Sequence, residues 1–350
     1  MKNFRVAVVN SKSFGKYSDV EVHLRKICQV VKLSIPKNIK GLQLAEKLRG
    51  FEFIIASTTP KYTSEFFENN KDVVLVARHG VGVDNIDVES ATKNGVIVTR
   101  VPGYILREAV AENTIALILL SLRKILNASI AVSEGNWSQR ARFIGHELNK
   151  KIVGIIGLGN IGSRVAQILS EGFKAKILAY DPYCNRESFK KVNAEAVSLD
   201  RLLRESDIIT VHTPLTEETY HLLGRNEFMR MKKGVIIVNT ARGELIDTTA
   251  LIEAICNNKV SAVALDTVEG EPISKDHPLL KYRDKVVITP HISGYTFEAL
   301  VNMDKAVVKA IEAVIQHKKP EVIVNEEVYK RVARVESLYF RMARRKNDEN

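Results

Sequence analysis

The segment Lys151-Ile152-Val153-Gly154-Ile155-Ile156 runs directly into Gly157-Leu158-Gly159-Asn160-Ile161-Gly162 and leaves the chain little freedom. A bare GxGxxG pattern is a weak signal, but here it follows a strand-like run and opens a helical pattern over 161–170, the context of a dinucleotide site. Gly157 permits the tight turn, Gly159 lets backbone amides approach a pyrophosphate, and Gly162 lets helix and strand pack closely. Asn160 and Ile161 begin the helix, whose N-terminal partial charge faces the phosphates. The next strand-like run ends at Asp181, nineteen residues beyond Gly162. A carboxylate there accepts hydrogen bonds from ribose hydroxyls and repels a 2′-phosphate, so the cofactor reads as NAD rather than NADP.

The same alternation of strand and helix covers most of the chain. Short apolar runs include Phe53–Ala56, Val73–Val76, Val96–Val98, Ile152–Ile156, Lys176–Tyr180, Ile208–Val211, Val235–Val238, Ala262–Leu265 and Val286–Ile288. Runs of this kind, bounded by turn residues and separated by helical patterns, predict parallel sheets in an α/β fold. Two sheets are expected, one from the first ~100 residues and one from ~150–290, consistent with about two domains at roughly 150 residues each. A helix near 108–126 is expected to bridge them. A helix from about Glu298 to His317, apolar at three- and four-residue steps, is expected to return to the first. A cleft between two such domains is a common ligand site.

Composition narrows the class further. At 45% hydrophobic the chain has enough apolar surface for real cores, which excludes disorder as the main state. The run Val6–Val9 is too short for a signal peptide and reads as a strand. The apolar stretch Ala109–Leu122 contains Glu112, Asn113 and Thr114 and falls short of the ~20 residues of a membrane span. The expected location is therefore the cytoplasm. Cys28, Cys184 and Cys256 are far apart with no CxxC pair, so neither zinc nor a disulfide framework is expected, and all three read as buried thiols. The net charge of +11 is the unusual number. Part of it is a tail, Val328–Asn350, with seven basic and three acidic residues; it reads as a solvated, frayed helix, with a partner subunit or nucleic acid as the alternative.

Three later segments carry site chemistry, each just after a strand, where ligands bind in such sheets. Arg242 follows Asn239-Thr240-Ala241, and a guanidinium can grip a carboxylate in a bidentate way. Asp266 opens Asp266-Thr267-Val268-Glu269-Gly270-Glu271. His291 follows Thr289-Pro290.

With these residues in place, the chain resembles the D-isomer-specific 2-hydroxyacid dehydrogenases, which include D-lactate and D-3-phosphoglycerate dehydrogenases. The resemblance runs from about Val73 to Val324 and rests on ARHGVGVDNIDV, EAVAE, GIIGLGNIG, HTPLTEET, MKKGVIIVNTARGELID, ALDTVEGEP and ITPHISGYT. It implies a Rossmann NAD-binding domain, 104–294, inserted into a flavodoxin-like substrate domain, 1–103 with 295–330, followed by the basic tail 331–350. It implies Arg242, Glu271 and His291 as the catalytic trio, acting without a metal. His291 is then the acid–base, Glu271 orients its ring, and Arg242 holds the substrate carboxylate. Asp266 is expected at the nicotinamide carboxamide, Thr213, Pro214 and Thr219 on the cofactor ribose side, and Thr240 and Ala241 near the nicotinamide. Gly80 and Val81 are expected to present amides to the substrate carboxylate, with help from Arg78. A homodimer formed through the cofactor domains is also implied.

The substrate signals are mixed. Tyr104, in Val101-Pro102-Gly103-Tyr104, and Tyr295 resemble the D-lactate branch, whereas GVGVDNIDV and TARGELID fit either branch. His79 departs from the small residue of many relatives; it narrows the pocket, touches substrate, or simply packs. A small unphosphorylated 2-hydroxyacid leads, with D-3-phosphoglycerate as the alternative; the ~25 residues after the family-like core are too few for a regulatory domain. The alternative of another class is an NAD(H)-sensing, corepressor-like interaction protein.

Overall fold

The computed structural model describes residues 4–330. The chain divides into two compact units, Met1–Ile105 with Thr296–Asn350, and Leu106–Tyr295. The basic tail 331–350 lies outside the described residues.

The first unit holds a five-stranded parallel sheet of β1 (Arg5–Val9), β2 (Gln29–Leu33), β3 (Phe53–Ala56), β4 (Leu75–Arg78) and β5 (Ile97–Arg100) in the order β2-β1-β3-β4-β5. This is the flavodoxin-like order. Ala7, Val9, Ile54, Ala56, Val76 and Val98 share one apolar cluster with Leu44, Tyr62, Phe66 and Phe67 of the covering segments. The helix Phe297–Ile315 packs on β4 and β5. Leu300, Met303, Val307, Ile311 and Val314 are buried along it at helical spacing, and so is Asp304. Asn325 closes the far edge: its Oδ1 accepts from Val98 N at 2.9 Å and its Nδ2 donates to Val96 O at 2.9 Å.

The second unit holds β6 (Ile152–Ile156), β7 (Lys176–Tyr180), β8 (Ala194–Ala196), β9 (Ile208–Val211), β10 (Val235–Asn239), β11 (Val260–Leu265) and β12 (Val286–Ile288). Their order is β12-β11-β10-β9-β6-β7-β8, all parallel. The central strands are apolar on both faces because both are covered. On β10, Val235 and Ile237 face one core, and Ile236 and Val238 the other.

Several expectations need correction. The helix expected over 108–126 is Arg107–Arg123, lies wholly in the second unit, and packs on the Asn160–Phe173 helix, β10 and β11. It stops because Lys124 turns left-handed (φ 51°) and the chain restarts at a 64° bend as Ile125–Ser133. A distant segment fixes that stop, since His146 N donates to the Leu122 carbonyl at 3.0 Å. The cysteines are not three buried thiols: Cys28 is buried, Cys184 half-buried and Cys256 exposed. Among the described residues no single helix is long and apolar enough to cross a membrane.

Candidate active site

The turn after β6 is built for a close approach. Gly157 has φ +92°, and a methyl there would sit 2.7 Å from the His212 carbonyl carbon after β9. A methyl on Gly162 would sit 2.0 Å from the Gly157 carbonyl oxygen, so helix and turn meet backbone to backbone. Gly159 faces open space, and the Asn160–Phe173 helix begins with no side-chain cap. Its first amides, at Asn160, Ile161 and Gly162, thus meet no capping side chain, an arrangement that suits an anion at a helix N-terminus. Asp181 closes β7; its Oδ2 accepts from Leu158 N at 2.8 Å and its Oδ1 from Tyr183 N at 2.9 Å. The carboxylate and the glycine loop therefore hold each other in place. Thr213, Pro214 and Thr219 lie in the loop after β9, where Thr219 Oγ1 donates to Pro214 O at 2.7 Å. An open glycine, an uncapped helix and a carboxylate at the next strand end fit a dinucleotide.

His212, which the sequence reading passed over, sits behind this turn. The residue is half-buried, but burial of its ring pushes the imidazole down to about 3. An unfolded histidine titrates near 6.5, so the folded value is depressed. The stability it contributes is complete above about pH 6.5 and lost as pH falls toward 3, because the unfolded chain then binds a proton that the fold refuses. Relative to His212→Asn, the parent is expected to lose up to about 1.4 kcal/mol more stability per pH unit below 6.5. Urea unfolding at pH 6.5 and 4.5 measures this, and equal losses for both proteins would refute it.

The second cluster sits at the ends of β10, β11 and β12. Asn239 ends β10; its Oδ1 accepts from Ala241 N at 2.9 Å and its Nδ2 donates to Arg242 O at 2.7 Å. This Asx turn orients Arg242, whose Nη1 donates to Ala241 O at 2.6 Å. Thr240 is buried, with its hydroxyl 2.9 Å from that of Thr114. Thr114 donates to Val110 O at 2.7 Å, so Thr240 is the donor to Thr114. A methyl on Gly243 would lie 2.0 Å from the Val268 carbonyl carbon, so the Arg242 turn rests on the segment leading to Glu271.

Glu271 Oε1 and His291 Nδ1 are 2.5 Å apart, both side chains a little over one third exposed. With Nδ1 engaged by the carboxylate, Nε2 is the ring nitrogen left for a proton in motion. His291 has φ +54°, a conformation unfavourable for a non-glycine residue. Asp266 compensates: it is 1% exposed, and its carboxylate accepts from Thr289 Oγ1 at 2.5 Å, Ile292 N at 2.9 Å and Ser293 N at 2.8 Å. Asp266 thus supports the histidine turn. Asn113 Nδ2 also donates to Ser293 Oγ at 2.6 Å. Neither Asn113 nor Ser293 was singled out by the sequence, although Ser293 lies in the ITPHISGYT segment.

In the first unit Arg78 ends β4, and its guanidinium donates to His79 O. Gly80 has φ +150°, and a methyl there would sit 2.5 Å from Arg78 Nη1. Gly80 does not offer its amide outward as expected, because Gly80 N donates to Arg78 O at 2.9 Å. Val81 N makes no hydrogen bond among the described residues. Tyr104 is exposed, its hydroxyl donating to Glu321 Oε1 at 3.1 Å; Tyr295 is exposed as well. Arg100, not singled out in the sequence, pairs in register with Arg78 at the carboxyl ends of β4 and β5. It is exposed and makes no ion pair among the described residues.

Residues 115–293 match the NAD-binding domain model of the D-isomer specific 2-hydroxyacid dehydrogenases. The chain is 43% identical over 269 residues to D-3-phosphoglycerate dehydrogenase of Archaeoglobus fulgidus, an alignment covering 77% of this chain and 50% of the relative. The chain therefore spans about half the length of that relative. It is 39% identical over 293 residues to glyoxylate reductase of Thermofilum pendens, covering 82% of this chain and 85% of the relative. Among solved structures, D-lactate dehydrogenase from Aquifex aeolicus, complexed with NAD and lactic acid, superposes with a TM-score of 0.80 at 31% identity, covering 91% of this chain and 98% of the other. The cofactor is NAD, the fold is two parallel-sheet α/β domains, and the chain belongs to the D-isomer-specific 2-hydroxyacid dehydrogenase family of oxidoreductases.

Proposed function

We propose that this chain is a cytoplasmic, homodimeric enzyme that transfers a hydride between NAD(H) and C2 of a small D-2-hydroxyacid or its 2-ketoacid. The observation that carries the reading is the 2.5 Å His291–Glu271 pair in the unit that bears the dinucleotide turn. In oxidation, His291 Nε2 takes the C2 hydroxyl proton while the C2 hydride leaves; in reduction it returns the proton to the C2 oxygen. Glu271 fixes the ring orientation through Nδ1. Arg242 takes the substrate carboxylate and polarises the C2 oxygen. NAD, when bound, supplies the hydride acceptor at nicotinamide C4. Thr240, Ala241 and Asp266 hold the nicotinamide end, and Thr213, Pro214 and Thr219 the ribose side. The first unit serves as the substrate domain, with Val81 N and Arg78 assigned to the substrate carboxylate and Tyr104 to the substrate side.

The dimer reading draws on the exposed apolar residues Ile125, Ile130, Val132, Trp137 and Ile144 of the second unit; sedimentation as a monomer would refute it. On the substrate, the two tyrosines favour an unphosphorylated ketoacid. A second reading, 3-phosphohydroxypyruvate, is favoured by the in-register cations Arg78 and Arg100. An NADH-consumption panel with glyoxylate, pyruvate, hydroxypyruvate, longer 2-ketoacids and phosphohydroxypyruvate separates them. The expected result is turnover of glyoxylate or hydroxypyruvate above the phosphorylated acid; no turnover of any ketoacid would overturn the proposal.

A further inference from the structure

His79 is locked by both ring nitrogens inside the first unit. Its Nε2 donates to Asp304 Oδ1 at 2.9 Å, and its Nδ1 lies 2.9 Å from Ser11 Oγ. The edge of Phe14 packs on the ring at 5.8 Å between centroids. Ser11 and His79 are 7% exposed and Asp304 is fully buried. Asp304 Oδ2 also accepts from Gly15 N at 3.0 Å and Ser18 Oγ at 2.6 Å, so the carboxylate is held by three donors. Three stretches far apart in sequence converge here: the loop after β1, the end of β4 and the Phe297–Ile315 helix.

The arrangement has more polar content than packing requires. A buried carboxylate inside a helix face is costly unless fully hydrogen-bonded. Asp304 is so satisfied only because His79 is present. What His79 fixes in return is the turn Arg78-His79-Gly80. Its main chain is already held by His79 N on Ala56 O at 2.9 Å and Val101 N on Gly80 O at 3.0 Å. The ring adds a lateral tether, and the guanidinium of Arg78 bonds to the His79 carbonyl itself. Rotation of the His79 backbone would therefore carry both the Arg78 guanidinium and the Val81 amide.

We infer that His79 is a positioning residue for substrate: through Ser11 and Asp304 it sets the Arg78–Val81 turn in the orientation that receives the ketoacid carboxylate. This rests on the function proposed above. Neither His79 nor Asp304 touches substrate.

The test uses the full chain with NADH, glyoxylate as substrate and oxamate as a non-reacting ligand. In His79→Ala, the KM for glyoxylate and the Kd for oxamate are expected to rise together by about 10- to 100-fold, while kcat and NADH affinity stay within about twofold. His79→Gln, which can still donate to Asp304, is expected to recover most of the loss. Ser11→Ala leaves Asp304 paired, and so keeps the fold even where His79→Ala does not; a rise of about threefold in the same two constants is expected. Unchanged KM in His79→Ala and Ser11→Ala would overturn the inference. So would a parallel fall of kcat, NADH affinity and thermal midpoint in His79→Ala with Ser11→Ala silent, which is the signature of a purely structural tether. A parent protein that turns over no ketoacid and binds no oxamate would instead remove the underlying reading, and that outcome is visible before any variant is made.

Discussion

Replacing His291 with glutamine is expected to lower kcat by about 10³-fold, in the middle of the range for loss of a positioned acid–base. Glutamine can still hydrogen-bond Glu271, but it cannot carry a proton between turnover states. The turn itself should survive, because His291 N is anchored on Asp266 O at 2.9 Å and the flanking amides of Ile292 and Ser293 on the Asp266 carboxylate. NADH affinity, read by quenching of cofactor fluorescence, should therefore stay near that of the parent. A kcat within tenfold of the parent would show that another group moves the proton.

The second large effect is expected from a change that removes no functional group. Gly243→Ala places a methyl 2.0 Å from the Val268 carbonyl carbon and 2.2 Å from Glu269 N. Both obstacles are main chain, so no rotamer change relieves the contact. Either the Gly243–Leu245 turn moves and takes Arg242 with it, or the segment 268–271 moves and takes Glu271 away from His291. Each displaces one member of the trio, so kcat/KM should fall by about 10²-fold or more. Stability should fall by about 1–3 kcal/mol, as for other overpacked sites. Steady-state kinetics and urea unfolding measure the two effects. Parent-like kcat/KM would mean that the two segments separate without consequence for the site.

These two positions show how far the sequence could be read. His291 and Glu271 were visible because each follows an apolar strand within a motif, and the fold brings them within hydrogen-bond reach across twenty residues of sequence. The strands Ile152–Ile156, Lys176–Tyr180 and Ile208–Val211 were visible for the same reason: a strand covered on both faces is apolar throughout. Gly243 was present in a quoted motif, but its need for space depends on the Val268 backbone, which no local pattern reveals. Asp304 reads as one polar position in an amphipathic helix, and its burial depends on His79, 225 residues earlier. The break at Lys124 was hidden too, since neither glycine nor proline marks it and the bond that ends the helix comes from His146. β2 was missed because Gln29-Val30-Val31-Lys32-Leu33 is a short run only partly apolar.

The division of the first unit into two stretches of chain sets a schedule for synthesis. Residues 1–105 emerge with the β4–β5 face uncovered and the amides of the β5 edge without Asn325 and Val324, which takes the Val98 carbonyl. Their partners lie beyond 190 intervening residues, a delay of roughly 10–40 s at ~5–20 residues per second on the ribosome. The intervening unit is continuous in sequence and can close first. The earliest-made sheet is then the last to be finished, and an exposed parallel edge must wait in the cell until the final helix arrives.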